Sequence, residues 1–188
     1  MLTFTLDLAP IGTLTDEQFW AICQANRDWQ FEQNAKGELI VVTPVGGEGG
    51  SQALSLGSQL WLWNQQTKLG VAFSSSTLFK LDNGALRSPD AAWVRLAHWQ
   101  VLTPEEQAGF PPLCPGFVIE LQSPSDRLKS VQDKMQEYLE NGLRLGWLID
   151  PQNQQVEIYR PGQPVQIVPL PANLSGEDVL PGFILAWS

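Results

Sequence analysis

Cysteine, histidine and positive charge are all scarce in this chain. Its 188 residues include two cysteines and one histidine. Cys23 and Cys114 cannot build a disulfide framework, and they are expected to stay reduced in a cytoplasmic protein. With His98 as the only histidine, no zinc signature can be assembled. No Ser-His-Asp or Cys-His arrangement can be built around it either. Eleven Lys and Arg stand against twenty Asp and Glu, a net charge of −9. That argues against a nonspecific, electrostatically held nucleic-acid binder, which carries a basic patch or stripe. It leaves room for an enzyme that meets nucleic acid through a local basic strip and metal ions. No stretch approaches 18 apolar residues, so no membrane span is expected. The start lacks a basic region followed by an apolar one, so no signal peptide is expected. With 43% hydrophobic and only 16% charged residues, the composition is that of a folded chain rather than a disordered one.

The length suits one domain with a full core. No internal repeat or long linker divides it. The reading is a single domain over 1–188, with a helix and hairpin in 1–45, a core in 46–150 and further strands in 151–188. The acid excess is uneven along it. Residues 1–120 carry six basic and twelve acidic side chains, and residues 121–146 carry four of each. The candidate chemistry clusters in that neutral segment.

Thr15-Asp16-Glu17-Gln18 has the capping-box pattern, and Phe19, Ile22 and Cys23 follow at helical spacing, so a helix should run to about Asn26. Trp29 to Gln33 and Glu38 to Thr43 read as a hairpin around Asn34-Ala35-Lys36-Gly37. Gly46-Gly47-Glu48-Gly49-Gly50 reads as a flexible loop. It has no Gly-Lys-Ser/Thr ending and is no P-loop. A second helix is expected over Ser51 to Gln66. Leu54, Trp61 and Leu62 lie on one side of it and Leu56, Leu60 and Trp63 on another, a pattern of burial between layers or against a partner subunit. Asp82-Asn83-Gly84 is a strong hairpin turn, and Thr103-Pro104 starts a short helix. Phe117 to Leu121 has the apolar character of a central strand. Ser125 or Asp126 should cap a helix that Gly142 ends. Arg144 to Asp150, Gln154 to Tyr159, Val165 to Leu170 and a final segment, Leu180 to Trp187, read as strands. This order predicts an α/β or α+β domain with a mixed sheet covered by helices.

Glu120 is the most informative residue. A carboxylate inside a central apolar strand costs several kcal/mol unless it is paired, protonated or bound to a metal. Asp90, in Ser88-Pro89-Asp90, stands just before the apolar run Ala91 to Val94. If the two strands pair, both carboxylates converge on one cation. Two hard oxygen ligands plus waters suit Mg²⁺ or Mn²⁺. On the helix after Glu120, the apolar face comprises Leu128, Val131, Met135, Tyr138 and Leu139. Lys134 and Arg127 lie along one boundary of that face, and Lys134 can snorkel toward Glu120. Glu48 is a third acid, near a helix start, where a solvated carboxylate is also favoured.

Taken together these motifs resemble a known family. Ser88-Pro89-Asp90, the run Pro115 to Asp126, Lys134-Met135-Gln136-Glu137-Tyr138, Gly142 and Gly146-Trp147-Leu148-Ile149-Asp150-Pro151 look like the Uma-type putative restriction endonuclease family, formerly a domain of unknown function. The resemblance covers nearly the whole chain. It implies membership of the PD-(D/E)xK nuclease superfamily, hence a restriction-endonuclease-like mixed sheet flanked by helices and a divalent-metal site. Asp90 then matches the Asp of the first motif, Glu120 the acid of the second, and Glu48 the acid often placed on the helix before the sheet. The usual lysine two residues after the acid is replaced by Gln122. That residue can polarise a water or join the metal shell through its carbonyl, but it carries no charge. The lysine role then passes to Lys134.

The leading expectation is a Mg²⁺- or Mn²⁺-dependent endonuclease acting on DNA as a homodimer. Asp90 and Glu120, with Glu48, would hold the metal, Lys134 with the metal would orient and activate a water, Gln122 would polarise it or join the metal shell, and Arg127 and Lys129 would touch the backbone. The alternatives are a nuclease-fold interaction module without catalysis, favoured by the acidic charge and Gln122, and a metal-dependent hydrolase of a small phosphate ester.

Overall fold

The computed structural model describes residues 3–187. The chain opens with β1 (Thr3–Leu6), whose residues are all exposed. Thr3-Phe4-Thr5-Leu6 alternates polar and apolar, but four residues make a short signal, and neither face of the strand is buried. α1 (Asp16–Ala25) begins at the expected capping box, with the Thr15 side chain and the Gln18 side chain each accepting from the other's backbone N–H. Phe19 anchors it in the core. β2 (Gln30–Gln33) and β3 (Leu39–Val42) form the expected hairpin. Its turn is tied by Asn34, whose side-chain oxygen accepts from the N–H groups of Lys36 and Glu38, both at 3.0 Å.

α2 (Gly47–Thr67) corrects the expected glycine loop. Gly46 is its N-cap, and the Gly50 N–H donates to the Gly46 carbonyl at 2.9 Å. Helix propagation from the strong segment beyond Ser51 outweighs the roughly 1 kcal/mol that each glycine costs. Burial along α2 is also one-sided. Leu56, Leu60 and Trp63 are buried, whereas Leu54, Trp61 and Leu62 are 71, 51 and 52% exposed.

Next come β4 (Gly70–Ser74), β5 (Phe79–Lys80), β6 (Leu86–Arg87) and β7 (Ala91–Arg95). Two short helices follow, α3 (Leu96–Trp99) and α4 (Pro104–Ala108). β8 (Phe117–Leu121) leads into α5 (Leu128–Glu140) and β9 (Leu145–Asp150). The cap of α5 is Arg127 rather than Ser125 or Asp126. The Asp126 carboxylate turns back instead to accept from the Ser123 N–H at 2.9 Å. β10 (Gln155–Tyr159), β11 (Gln166–Pro169), β12 (Ala172–Ser175) and β13 (Ile184–Trp187) complete the chain.

The strands form three sheets. The largest has the order β11-β10-β9-β8-β7-β4. Its only parallel pair is β8 with β9, the two strands that α5 connects. The N-terminal hairpin belongs to a separate sheet of order β1-β3-β2-β6-β5, and β12 pairs with β13 alone. One face of the large sheet packs Phe117, Ile119, Trp93 and Trp147 under α2 and the β12–β13 ribbon. The other packs Ala92, Val94, Val118 and Leu148 under Met135 and Tyr138 of α5. Gly146 lets α5 come close, since a Cβ there would lie 2.5 Å from the Met135 methyl. The fold is thus a mixed α/β architecture, with a large mixed sheet flanked by helices.

Candidate active site

Strand periodicity aims the two acids. Side chains two apart share a face, so Glu120 follows Val118 and Asp90 precedes Ala92 on the α5 side of the large sheet. β7 and β8 pair antiparallel with Ala91 opposite Ile119. This register sets Asp90 beside the end of β8, where its Oδ2 accepts from the Leu121 N–H at 2.7 Å. Both acids open onto a cleft of about 390 Å³ together with Glu32, Arg87, Arg127 and Lys134.

Lys134 is the hub of that cleft. Its Nζ lies 2.9 Å from Glu120 Oε1 and 2.8 Å from Glu32 Oε1, and it donates to the Ser88 carbonyl at 3.1 Å. Glu32 comes from the N-terminal sheet and is itself tightly held. It accepts from the Ser88 N–H at 2.9 Å and pairs with the Arg87 guanidinium at 3.1 Å, and Arg87 also binds Glu137. Glu120 receives one further bond, from the Tyr138 hydroxyl at 3.1 Å.

These surroundings split the acids electrostatically. Burial pushes the Glu120 carboxyl up to about 8. Lys134 pulls the other way, while Asp90 and Glu32 add to the rise. Burial also raises Asp90, against the Leu121 N–H that favours its charged form. Glu32 feels burial too, but Lys134 and Arg87 overcome it and hold the carboxyl below its ordinary value. Burial alone would lower Lys134, yet Glu120 and Glu32 raise it above the usual lysine range. The ammonium therefore stays charged at neutral pH and acts as a fixed cation, not a base.

The other residues singled out from the sequence are placed differently. Gln122 is buried, and in the amide orientation that satisfies both groups its nitrogen donates to the two Asp150 oxygens at 2.8 and 3.0 Å. Asp150 is fully buried and also caps the turn at Gln152 and Asn153. Glu48 sits exposed in the first turn of α2. It lines an adjoining cavity that includes Asp90 but not Glu120. Arg127 stands on the cleft rim. Lys129 is an exposed partner of Asp133 one turn along α5.

Among the described residues, no three His, Cys, Asp or Glu side chains come together as a metal cage. The pair Asp90 and Glu120 nevertheless suits one kind of ion. Mg²⁺ is bound through one or two carboxylates while keeping waters and phosphate oxygens as its other ligands. Asp90 Oδ1 and Glu120 Oε2 accept no hydrogen bond from the described residues, which leaves one hard oxygen on each acid for such an ion.

A family model matches residues 16–188, that of Uma2, described as "Putative restriction endonuclease". The chain belongs to this family. Its fold is also that of a solved structure from Anabaena variabilis ATCC 29413, described as a "putative nuclease belonging to DUF820". The two share 20% identity with a TM-score of 0.72, over 92% of this chain and 94% of that one. No curated protein matches the chain significantly. No helix among the described residues is long and apolar enough to cross a membrane.

In this Uma2 member, two cleft residues escape a sequence reading. Glu32 lies in a short strand, Gln30-Phe31-Glu32-Gln33, in which it alternates with the core residue Phe31 and so reads as the solvent-facing position. Its role comes from the contact between two sheets. Arg87 offered a better signal, since it interrupts a run from Ala85 to Val94 that is otherwise mostly small or apolar.

Proposed function

We propose that the protein is a divalent-metal-dependent endonuclease that hydrolyses DNA phosphodiester bonds in the cytoplasm. The observation that carries this reading is the convergence of Asp90 and Glu120, from paired strands, on a cleft where a permanently charged Lys134 stands 2.9 Å from Glu120. When bound by these two acids, Mg²⁺ or Mn²⁺ would lower the pKa of a water and offset charge on the phosphate. Lys134 supplies a positive charge beside the reacting phosphate, preorganised by Glu32 and the Ser88 carbonyl, so no reorganisation is needed as negative charge builds. Arg127 on the rim holds a neighbouring phosphate of the strand. The lysine function sits on α5, because Gln122 is engaged by Asp150. The exposed Leu54, Trp61 and Leu62 of α2 supply the surface for a homodimer.

The test is nicking of supercoiled plasmid with Mg²⁺ or Mn²⁺, alongside calorimetric metal titration. Wild type should nick, and Asp90→Ala and Glu120→Ala should lose activity by roughly 100-fold or more while losing metal binding. Equal nicking by the variants would overturn the reading. A second reading, a nuclease fold without catalysis, is favoured by the replacement of the usual lysine by Gln122. Metal binding that depends on both acids, with no cleavage of any nucleic acid, would establish it.

A further inference from the structure

The cavity that adjoins the cleft differs from it in charge. It measures about 650 Å³, and its lining among the described residues contains no lysine, arginine or histidine. Its charged lining is Glu48 and Asp90 alone. The cleft, by contrast, presents Lys36, Arg87, Arg127 and Lys134. The two spaces meet at Gln30, Asp90 and Leu121, which line both. A phosphate therefore finds counter-charge on one side of Asp90 and none on the other.

The cation-free side suits a neutral group that both donates and accepts hydrogen bonds. Its wall carries four glutamines and several hydroxyls. Gln30 and Gln122 are spent on Ser88 and Asp150. The amides of Gln52 and Gln152 make no side-chain hydrogen bond with the described residues, so their donors and acceptors are available. Such amides pair with the edges of nucleobases. Pro44, Val45, Ala53 and Pro124 add apolar surface, the usual mix of a small-molecule pocket in this size range. Its wall includes Ser123-Pro124-Ser125 and Pro151-Gln152, just past the carboxyl ends of the parallel pair β8 and β9.

We infer that this cavity is a nucleoside subsite: it receives the base and sugar of one unpaired nucleotide whose phosphate lies over Asp90 in the cleft. The inference rests on the endonuclease reading for the identity of the polymer. A concavity of this size admits a single extruded nucleoside and excludes an intact duplex. Unpairing costs a few kcal/mol in a duplex and least in single strands or mismatches. The protein accordingly prefers single-stranded or locally unpaired DNA to intact B-form duplex.

Gly49, Gln52 and Ala53 present one face of the first turns of α2 to this cavity, which makes it accessible to substitution away from the acids. The experiment titrates the four deoxynucleoside 5′-monophosphates, and deoxyribose 5-phosphate as the base-free control, into the full-length protein by calorimetry. Neither probe contains a phosphodiester, so turnover does not enter. The variants are Ala53→Phe, which fills the cavity, and Gln52→Leu, which keeps its shape and removes an amide. Thermal midpoints establish that each is folded. Wild type should bind the nucleotides about tenfold or more tightly than the sugar phosphate. Ala53→Phe should reduce them to the sugar-phosphate level, and Gln52→Leu should weaken them by about threefold to tenfold. Equal binding of both probes by wild type, or unchanged nucleotide binding in a folded Ala53→Phe, overturns the subsite. A parallel assay compares cleavage of an oligonucleotide alone and annealed, and cleavage at least as fast in the duplex also overturns it. Nucleotide binding lost in Ala53→Phe without cleavage of any DNA upholds the subsite and removes the endonuclease reading. Nicking that needs Asp90 and Glu120, with no preference for nucleotide over sugar phosphate, does the reverse.

Discussion

Two sheets each deliver one buried carboxylate to the same ammonium, and the two fare differently. Glu32, from β2 in the N-terminal sheet, and Glu120, from β8 in the large sheet, lie 2.8 and 2.9 Å from Lys134. Both are buried, at 5 and 6% exposure. Glu32 also has a guanidinium and a backbone N–H, and its carboxyl is held below the ordinary value. Glu120 has a phenol and two acidic neighbours, and burial pushes it up to about 8. The distance to a cation does not decide the state of a buried acid. The number of donors sharing the load does. Glu32 is therefore a saturated anchor that fixes Lys134, and Glu120 is an under-compensated acid with capacity left for a further cation.

Removing the shared cation is the severest way to break this comparison. Lys134→Met leaves both acids buried without their ammonium. Breaking a buried pair on one side costs roughly 3–5 kcal/mol, so the denaturation midpoint should fall sharply and nicking should drop by about 100-fold or more. A variant as stable as wild type would show that Lys134 is not the counter-charge of either acid.

Neutralising the acids one at a time sharpens it. Glu32→Gln should destabilise the fold by roughly 1–3 kcal/mol at neutral pH, because Arg87 and Lys134 lose a satisfied partner. Glu120→Gln should be near neutral or stabilising when no metal is present, since it removes a carboxyl that must take up a proton on folding at neutral pH. The pH dependence carries opposite signs. For Glu120, the folded state binds more protons than the unfolded state between its ordinary value of 4.5 and about 8. Its contribution to stability is thus complete below 4.5 and is lost as pH rises through about 8. For Glu32, lowered on folding, the contribution is present above 4.5 and is lost as pH falls through its folded value. Urea melts across pH should show the slope between pH 5 and 8 become shallower in Glu120→Gln, with Asp90 contributing what remains, and persist in Glu32→Gln. The same slope in both variants would erase the distinction.

The smallest effect is expected at Gln122. Gln122→Lys restores the residue usual at that spacing, but the carboxylate it meets is Asp150, at the distance where the amide now donates. The new ammonium should pair there and change the nicking rate by less than about threefold. A large gain would mean that position 122 reaches the phosphate and that α5 is not the only source of the cation.

Much of the fold is legible because local patterns carry it. The Thr15–Gln18 capping box, the Asp82-Asn83-Gly84 turn, β8 with four apolar residues around Glu120, and the amphipathic α5 each need only neighbours a few residues away. The glycine-rich start of α2 misleads for the same reason. Local propensity disfavours a helix there, and cooperativity with the long segment beyond it prevails. β1 carries the alternation Thr3-Phe4-Thr5-Leu6 over only four residues, too short a run to stand out, and nothing buries it. The exposed Leu54, Trp61 and Leu62 look like core in the sequence, since periodicity marks an apolar side without saying what covers it.

The candidate site divides along the same line. Asp90, Glu120 and Lys134 stand out in the sequence as a turn acid before a strand, an acid inside an apolar strand and a lysine at the edge of a helix face. Those identities, the elements that carry them and the side of the sheet each acid faces follow from chain-local periodicity. Glu32, one hundred and two residues before Lys134, and the capture of Gln122 by Asp150 depend on which segments meet across the fold. Only tertiary structure decided those partners, and with them which acid is saturated and which is left open. The reason is physical: a buried carboxylate's state is set by the sum of charges and donors around it, and that sum gathers from strands the sequence keeps far apart.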